Sequence, residues 1–149
     1  MTAAPYQIRP ATLADAEAIA GLLSELGYPS DPTRARRSVS AALNDPQQAL
    51  IVVASIDGVH GLAAVTELFY FHLGQRIARL ASLVVHSAAR GQGLGSLLLR
   101  AAEQWAAARG CSHIELTSSG KRERAHAFYL REGYDQSSYR FVRSLPDAE

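Results

Sequence analysis

Apolar residues recur at helical spacing in four parts of the chain and form strand-like apolar or alternating runs in six others. The helical pattern predicts helices over residues 12–27, 31–44, 94–110 and 120–133, capping and terminating residues included. Strands are predicted over residues 6–9, 49–56, 59–73, 77–86 and 113–118, and from Tyr134 onward. The predicted order is therefore β-α-α-β-β-β-α-β-α-β, which is typical of a mixed α/β domain.

Local signals support these boundaries. Thr12 followed three residues later by Asp15 is a capping box, and Gly27 is a typical helix-terminating residue. Asp31 before Pro32 predicts the start of the second helix. The fourth and fifth strands are joined through a helix, so we expect them to lie parallel in one sheet.

Composition narrows the class of protein. The length of 149 residues predicts one domain over residues 1–149. The net charge of +1, with 19% charged residues, disfavours nucleic-acid binding. The single cysteine, Cys111, excludes a disulfide framework and favours a cytoplasmic setting. No apolar run predicts a signal peptide or a membrane span, and no metal site is expected.

A glycine-rich segment follows the fourth strand directly and opens the third helix. Glycine permits close approach of the backbone to a ligand, and a helix start presents N–H groups without intrahelical partners. Ser96 stands where a dinucleotide-binding turn would have its third glycine, and the segment lacks the lysine of a P-loop. We therefore expect a phosphate or pyrophosphate ligand rather than a simple connecting turn. The segment reads Arg90-Gly91-Gln92-Gly93-Leu94-Gly95-Ser96.

A second pattern lies on the predicted fourth helix, where residues 122–134 read R-E-R-A-H-A-F-Y-L-R-E-G-Y. Together with the R-x-x-G-x-G pattern of Arg90, Gly93 and Gly95, it resembles the GNAT superfamily of N-acetyltransferases. The resemblance implies the GNAT acyl-CoA N-acyltransferase fold, in which strands four and five splay apart and hold acetyl-CoA. The cofactor-binding residues it implies are Leu83, Val84, Val85, Arg90, Gly91, Gln92, Gly93, Leu94, Gly95, Ser96, Ser119, His126 and Tyr129.

The implied reaction is direct transfer of the acetyl group of acetyl-CoA to a primary amine in a ternary complex. Tyr129 is the expected acid for the leaving thiolate, although a tyrosine packed in the core is the alternative. The main-chain N–H of Val84 or a neighbour is the expected oxyanion donor. Ser119 departs from the asparagine that many relatives have there, and a serine hydroxyl is a shorter donor.

The base is left open, because the fourth strand lacks the carboxylate that many relatives carry. Glu67, Glu115, His72, His86 and a water path all remain candidates. The acceptor site is expected among the first two helices, residues 28–31 and 68–72, and the last strand. Glu25, Asp31 or Glu67 could hold a cationic amine there.

Three functions fit the sequence. A small-molecule amine is the favoured acceptor. A lysine or N-terminal acetyltransferase acting on proteins or peptides, and a non-catalytic acetyl-CoA-binding module, are the alternatives. Oligomeric state is not determined by the sequence, but dimers are common among similar proteins and a homodimer is one option.

Overall fold

A computed structural model describes residues 5–118, 122–138 and 140–146 of the chain. The chain forms two compact units, the first ending at Leu116 and the second beginning at Thr117. The expectation of one domain over the whole chain stays a prediction.

The first unit contains a five-stranded sheet with its strands in chain order. Neighbouring strands are antiparallel except for β4 and β5, which are parallel as the sequence predicts. The strands are β1 (Gln7–Pro10), β2 (Gln48–Ser55), β3 (Gly58–Tyr70), β4 (Gln75–Val85) and β5 (Ile114–Glu115). The helices are α1 (Ala16–Leu26), α2 (Pro32–Leu43) and α3 (Leu94–Ala108), with α4 (Glu123–Arg131) in the second unit.

The predicted helix boundaries follow from capping contacts. Asp15 accepts the Thr12 N–H at 2.8 Å and pairs in a bidentate manner with Arg9, at 2.8 and 2.9 Å. A short 3₁₀ turn at Leu13–Asp15 therefore precedes α1, which ends at Gly27 in a left-handed conformation. The Asp31 carboxylate accepts the Arg34 N–H at 2.7 Å and so caps α2.

The sheet carries helices on both faces. On one face, α1 and α2 pack Ile19, Leu22 and Val39 against Val52, Leu62 and Val84. On the other face, α3 buries an apolar stripe, and its approach is close at Gly61. A Cβ added at Gly61 would lie 3.0 Å from Leu98 Cδ1 and 3.0 Å from the Val84 oxygen, so a larger residue there would displace α3 or the strand. The buried residues of α3 are Leu94, Leu98, Leu99, Ala102 and Ala106.

Three predicted strands differ from the structure. The third was expected over residues 59–73 but ends at Tyr70, where a turn begins. The fifth was expected over residues 113–118 but is confined to Ile114–Glu115. The strand expected from Tyr134 onward is not formed in residues 134–138 or 140–146, and Tyr139 lies outside the described residues. Phe141 and Val142 are exposed there, because β propensity forms a strand only where a neighbouring strand supplies packing and backbone partners.

Candidate active site

The glycine-rich segment forms a tight connection between β4 and α3. After β4 the chain makes a 3₁₀ turn at Ser87–Ala89, and α3 begins at Leu94. Gly91 and Gly93 have φ angles of 82° and 78°. A Cβ at either position would meet nothing within 4 Å, so the left-handed backbone, rather than lack of space, requires glycine here.

The start of α3 leaves backbone donors without helical partners. The first helical bond recorded at this end runs from the Leu97 N–H to the Gly93 oxygen, at 3.2 Å. The N–H groups of Leu94, Gly95 and Ser96 therefore precede the helical hydrogen-bond ladder. Gly93 has no side chain that could cap them, and the positive end of the helix dipole lies at the same place. This arrangement can bind a phosphate oxygen through the backbone alone.

Other residues of the predicted loop have distinct surroundings. The Leu94 side chain is buried, so this residue can offer a ligand its backbone only. The Tyr6 hydroxyl donates a hydrogen bond to Gln92 Oε1 and ties the loop to the residues before β1. Arg90 is half exposed, and its Nη2 atom lies 3.9 Å from Glu25 Oε1. That distance leaves the guanidinium free to bond to an anion as well.

One edge of β4 is open next to this loop. Pairing with β5 covers Ala78 and Arg79, and within the described chain no strand pairs with that side of residues 80–85. Ala81 is an extra residue in the β3–β4 register, a bulge that increases strand twist where β5 departs. Splaying of strands four and five is therefore consistent with this short pairing.

The register shows which backbone groups face the open edge. The His86 N–H donates to the His60 oxygen at 2.7 Å, and hydrogen-bonded pairs alternate along an antiparallel ladder. Val84, opposite Leu62, therefore directs its N–H toward β3. Leu83 and Val85 direct theirs away from β3. The N–H groups at the open edge therefore belong to the neighbours of Val84 and not to Val84 itself. The expectation of an oxyanion donor at Val84 or a neighbour is thus narrowed to a neighbour. The Val84 side chain lies in the core.

In the second unit, α4 carries the second sequence motif. Tyr129 is half-buried, and its ring lies 5.3 Å from that of Phe128 and 5.8 Å from that of Tyr134. Burial raises the pKa of Tyr129 above its ordinary value, and the charge of Arg122 offsets part of that rise. The hydroxyl is therefore protonated near neutral pH, as a proton donor must be. His126 is half-buried, and Ser119 lies outside the described residues.

The carboxylates considered as bases are held by arginines. Glu67 is only 5% exposed and lies 2.6 Å from Arg109 Nε and 3.0 Å from Arg76 Nη1. The hydrogen bond from Arg109 holds the pKa of the Glu67 carboxyl below its usual value, against the effect of burial. Glu115 accepts the Tyr70 hydroxyl at 2.7 Å and Arg79 Nη2 at 2.5 Å. Both side chains are thus occupied in structural pairs.

The two histidines have different neighbours. His72 lies against Tyr70, with 5.2 Å between ring centroids. His86 Nδ1 is 3.0 Å from Glu25 Oε2, and Glu25 Oε1 accepts the Ser87 N–H at 2.9 Å. Among the described residues, no group of three or more His, Cys, Asp and Glu side chains is arranged to hold a metal ion.

Comparison with known proteins identifies the family of the chain. The sequence profile of the Acetyltransferase (GNAT) family matches residues 16–134. The chain belongs to the GNAT acetyltransferase family. Membership makes it an N-acetyltransferase that uses an acyl-coenzyme A, and it agrees with the two motifs described above.

Relatives of this GNAT protein include enzymes that act on phosphorus-containing amines. It is 36% identical over 140 residues to an aminoalkylphosphonate N-acetyltransferase of Salmonella typhimurium, covering 93% of this chain and 91% of that one. It is 36% identical over 138 residues to glucosamine 6-phosphate N-acetyltransferase 1 of Oryza sativa subsp. japonica, covering 87% and 81%. The solved structure of an aminoglycoside N-acetyltransferase in complex with CoA has the same fold, with a TM-score of 0.87 at 15% identity and 97% coverage of both chains.

The acceptor side of this GNAT protein is less defined than its loop. Of the residues expected there, Tyr28 is 64% and Phe71 is 91% exposed, so they do not line an enclosed apolar pocket in the first unit. Asp31 is used as the α2 cap, and Glu67 and Glu25 have the partners given above. A shallow pocket of about 260 Å³ lies instead beside α1. Its lining residues are Glu17, Ala18, Gly21, Leu22, Glu25, Val59 and His86.

Sequence reasoning did not find the contacts of Glu25. It considered this side chain as a holder for the amine, whereas the structure joins it to the segment after β4. The contact spans 62 positions between Glu25 and Ser87. Neither local spacing nor the two motifs carried a signal for it.

None of the helices that the structure describes is long and apolar enough to cross a membrane.

Proposed function

We propose that the protein transfers the acetyl group of acetyl-CoA to the primary amine of a small molecule, by direct attack in a ternary complex. The main support is the continuity between the open edge of β4 and the helical N–H groups at α3. An extended, amide-bearing arm that ends in a pyrophosphate has complementary groups in the same order.

In this proposal the pantetheine arm bonds to the outward carbonyl of Leu83 and to the outward backbone groups of Val85. The pyrophosphate meets the N–H groups of residues 91–96, with Arg90 adjacent. His126 and Ser119 remain expected cofactor neighbours from the resemblance alone. An acyl-coenzyme A other than acetyl-CoA would use the same backbone groups, so the acyl group has to be tested directly.

The chemical step needs few side chains. The neutral amine attacks the thioester carbonyl, a C–N bond forms, and the N–H of Leu83 or a close neighbour stabilises the oxyanion. As the C–S bond breaks, Tyr129 donates its proton to the leaving thiolate. The amine proton passes to solvent water, because Glu67 and Glu115 are held by arginines.

For the acceptor, we propose an amine that carries a phosphonate or phosphate group. The two relatives described above act, by their names, on an aminoalkylphosphonate and on glucosamine 6-phosphate. Exposed arginines on the first turns of α2 supply positive charge of the kind that such an anion needs. These arginines are Arg34, Arg36 and Arg37.

The test is thiol release from acetyl-CoA with matched pairs of amines. 2-Aminoethylphosphonate is compared with ethanolamine, and glucosamine 6-phosphate with glucosamine, with lysine peptides as a further class. We expect kcat/KM to be at least about tenfold higher for the phosphorus-containing member of one pair. Turnover of peptides alone would favour the protein acetyltransferase, and CoA binding without any turnover would favour the binding module.

The acid is tested in the same assay with Tyr129→Phe. Loss of the hydroxyl should lower kcat by about 10²-fold or more, the usual contribution of a positioned acid, and leave the Kd of CoA within about twofold. Phe128→Leu, a change to the neighbouring ring, is the control for packing. An unchanged kcat in Tyr129→Phe would remove the tyrosine from the mechanism.

A further inference from the structure

One carboxylate on α1 contacts three residues of the segment that connects the open edge of β4 with the glycine loop. Glu25 lies in the last turn of α1, and its side chain is 27% exposed. Its Oε1 atom accepts the Ser87 N–H at 2.9 Å, its Oε2 atom lies 3.0 Å from His86 Nδ1, and Oε1 is 3.9 Å from Arg90 Nη2. The proposed reaction gives Glu25 no part in proton transfer or in binding the amine, so these contacts have another role.

The bond to Ser87 constrains the backbone directly. Val85 is the last residue of β4 and Gly91 is the first left-handed glycine of the glycine-rich loop, so residues 86–90 fix how the edge and the loop are oriented. The contact to Ser87 is a hydrogen bond to a charged acceptor, which is stronger than one between neutral groups. Glu25 therefore fixes the point where the chain leaves the sheet.

The contact to His86 competes with a second one. His86 Nδ1 also lies 3.3 Å from the Ala88 N–H, at the start of the 3₁₀ turn. A single ring nitrogen either carries a proton, which it can donate to Glu25, or has a lone pair, which can accept from Ala88. The Ser87 N–H bonds to Oε1 and His86 faces Oε2, so the bond to Ser87 does not require His86 to carry the proton.

Arg90 lies near Glu25 but does not form a short ion pair with it. At 3.9 Å from Oε1 it is attracted by the carboxylate, yet its guanidinium makes no hydrogen bond to it at that distance. A phosphate oxygen can therefore recruit Arg90 without first displacing a short ion pair.

We propose that Glu25 is a positioning residue for pyrophosphate binding, acting through Ser87 and Arg90 on the loop. The inference rests on the proposed function, since it needs the loop to bind the pyrophosphate of the coenzyme. It excludes a direct role for Glu25 at the reacting atoms. Its effect should therefore fall on donors that contain the pyrophosphate and spare donors that lack it.

The experiment compares acetyl-CoA with S-acetylpantetheine, which has the thioester arm without the pyrophosphate, as donors. Glu25→Ala should lower kcat/KM for acetyl-CoA about tenfold, through KM, which corresponds to loss of one hydrogen bond to a charged group. The value for acetylpantetheine should stay within about twofold. Glu25→Gln keeps an oxygen that can accept the Ser87 N–H, so it should recover most of the loss.

Glu17→Ala is the matched control, because Glu17 lies on the same helix and lines the same pocket. It should leave both donors unchanged. Equal losses for both donors in Glu25→Ala, or no loss for either, would overturn the positioning role. Direct titration of wild-type protein with CoA separates the two proposals: if wild type does not bind CoA, the proposed function fails, whereas binding that Glu25→Ala leaves unchanged defeats only this inference.

Discussion

The two ends of β4 use opposite kinds of chemistry. At its beginning, β4 pairs on both sides and is surrounded by charged side chains that neutralise one another, with Glu67 against Arg76 and Arg109 and with Glu115 against Arg79. At its end, one side has no partner strand in the described chain, and the groups available to a ligand belong to the backbone. The paired charges at the beginning of β4 therefore have a structural role, and the catalytic chemistry that we propose lies at its other end, where backbone groups are available.

The arginine pairs at the beginning of β4 are also the reason why we propose no carboxylate as the base. A carboxylate within hydrogen-bond distance of a guanidinium is stabilised in its charged form and is a poorer proton acceptor. Glu67 is in this position, and the hydrogen bond from Arg109 lowers its pKa. An amine that arrives neutral needs no stronger base than water, which fits a site built on backbone donors.

The largest effect should come from removing one outward N–H at the open end. Leu83→Pro deletes that donor and leaves the bonds to β3, because the Leu83 N–H is directed away from β3. If it is the oxyanion donor, kcat should fall about 10²- to 10³-fold. Leu83→Ala, which keeps the N–H, controls for the side chain.

Val84→Pro sharpens this result, since its N–H points toward Leu62 on β3. It should disrupt the sheet and lower stability, whereas Leu83→Pro should melt within a few degrees of Leu83→Ala. Steady-state kinetics and thermal melts together distinguish these cases. Similar kcat values for Leu83→Pro and Leu83→Ala would show that the donor lies elsewhere.

At the closed end, the expected effect is on stability. Arg109→Met removes the 2.6 Å bond to the buried Glu67 carboxylate, which keeps its contact with Arg76, and should cost about 2 kcal/mol of unfolding free energy, measured by urea denaturation. Arg76→Met is the matched variant, because Arg76 is half exposed and should cost about 1 kcal/mol or less. CoA affinity should be unchanged in both, and a large loss of affinity would contradict the separation of the two ends.

A smaller effect is expected for the charge beside the loop. Arg90→Ala should raise the Kd of CoA about tenfold, with a weaker dependence on salt, because one guanidinium contact to phosphate is lost. Arg100→Ala removes the same charge from α3, where Arg100 pairs with Glu103 at 2.9 Å. Titration calorimetry at two salt concentrations should show no change for Arg100→Ala, and equal effects of the two variants would mean that only net charge matters.

The smallest effect concerns pH. Because the folded-state pKa of Glu67 is lowered, its pair with Arg109 stabilises the fold above the unfolded pKa of about 4.3, and this contribution is lost as pH falls through the folded value. The difference in unfolding free energy between wild type and Arg109→Met should therefore be constant from pH 7 to about 5 and shrink below about 4. A difference that grows on acidification would contradict the assignment.

Much of this architecture could be predicted because local rules determine it. The caps at Asp15 and Asp31 and the helix ends at Gly27 and Gly133 follow from residue types at short spacing. The glycine loop and the helix that follows it could likewise be predicted from the sequence, because a left-handed backbone favours glycine.

Features that depend on distant partners could not be predicted. The length of β5 and the fate of residues after Tyr134 depend on which backbone groups lie alongside, and an apolar, β-branched sequence does not reveal them. The pairing of Glu67 with Arg109 and of Glu25 with Ser87 joins residues far apart in the chain. From the sequence alone, a carboxylate can therefore be interpreted equally well as a base, as a group that binds the amine or as one member of an ion pair.

The short pairing between β4 and β5 also has a consequence for the stability and aggregation of the protein. An unpaired strand edge is a template for association with other chains, and natural proteins usually protect such edges. In the proposed complex the coenzyme itself occupies this edge. Its binding should then raise stability by about 2.7 kcal/mol at one hundred times its Kd. Coenzyme supply would govern how long the protein survives unaggregated, as well as how fast it works.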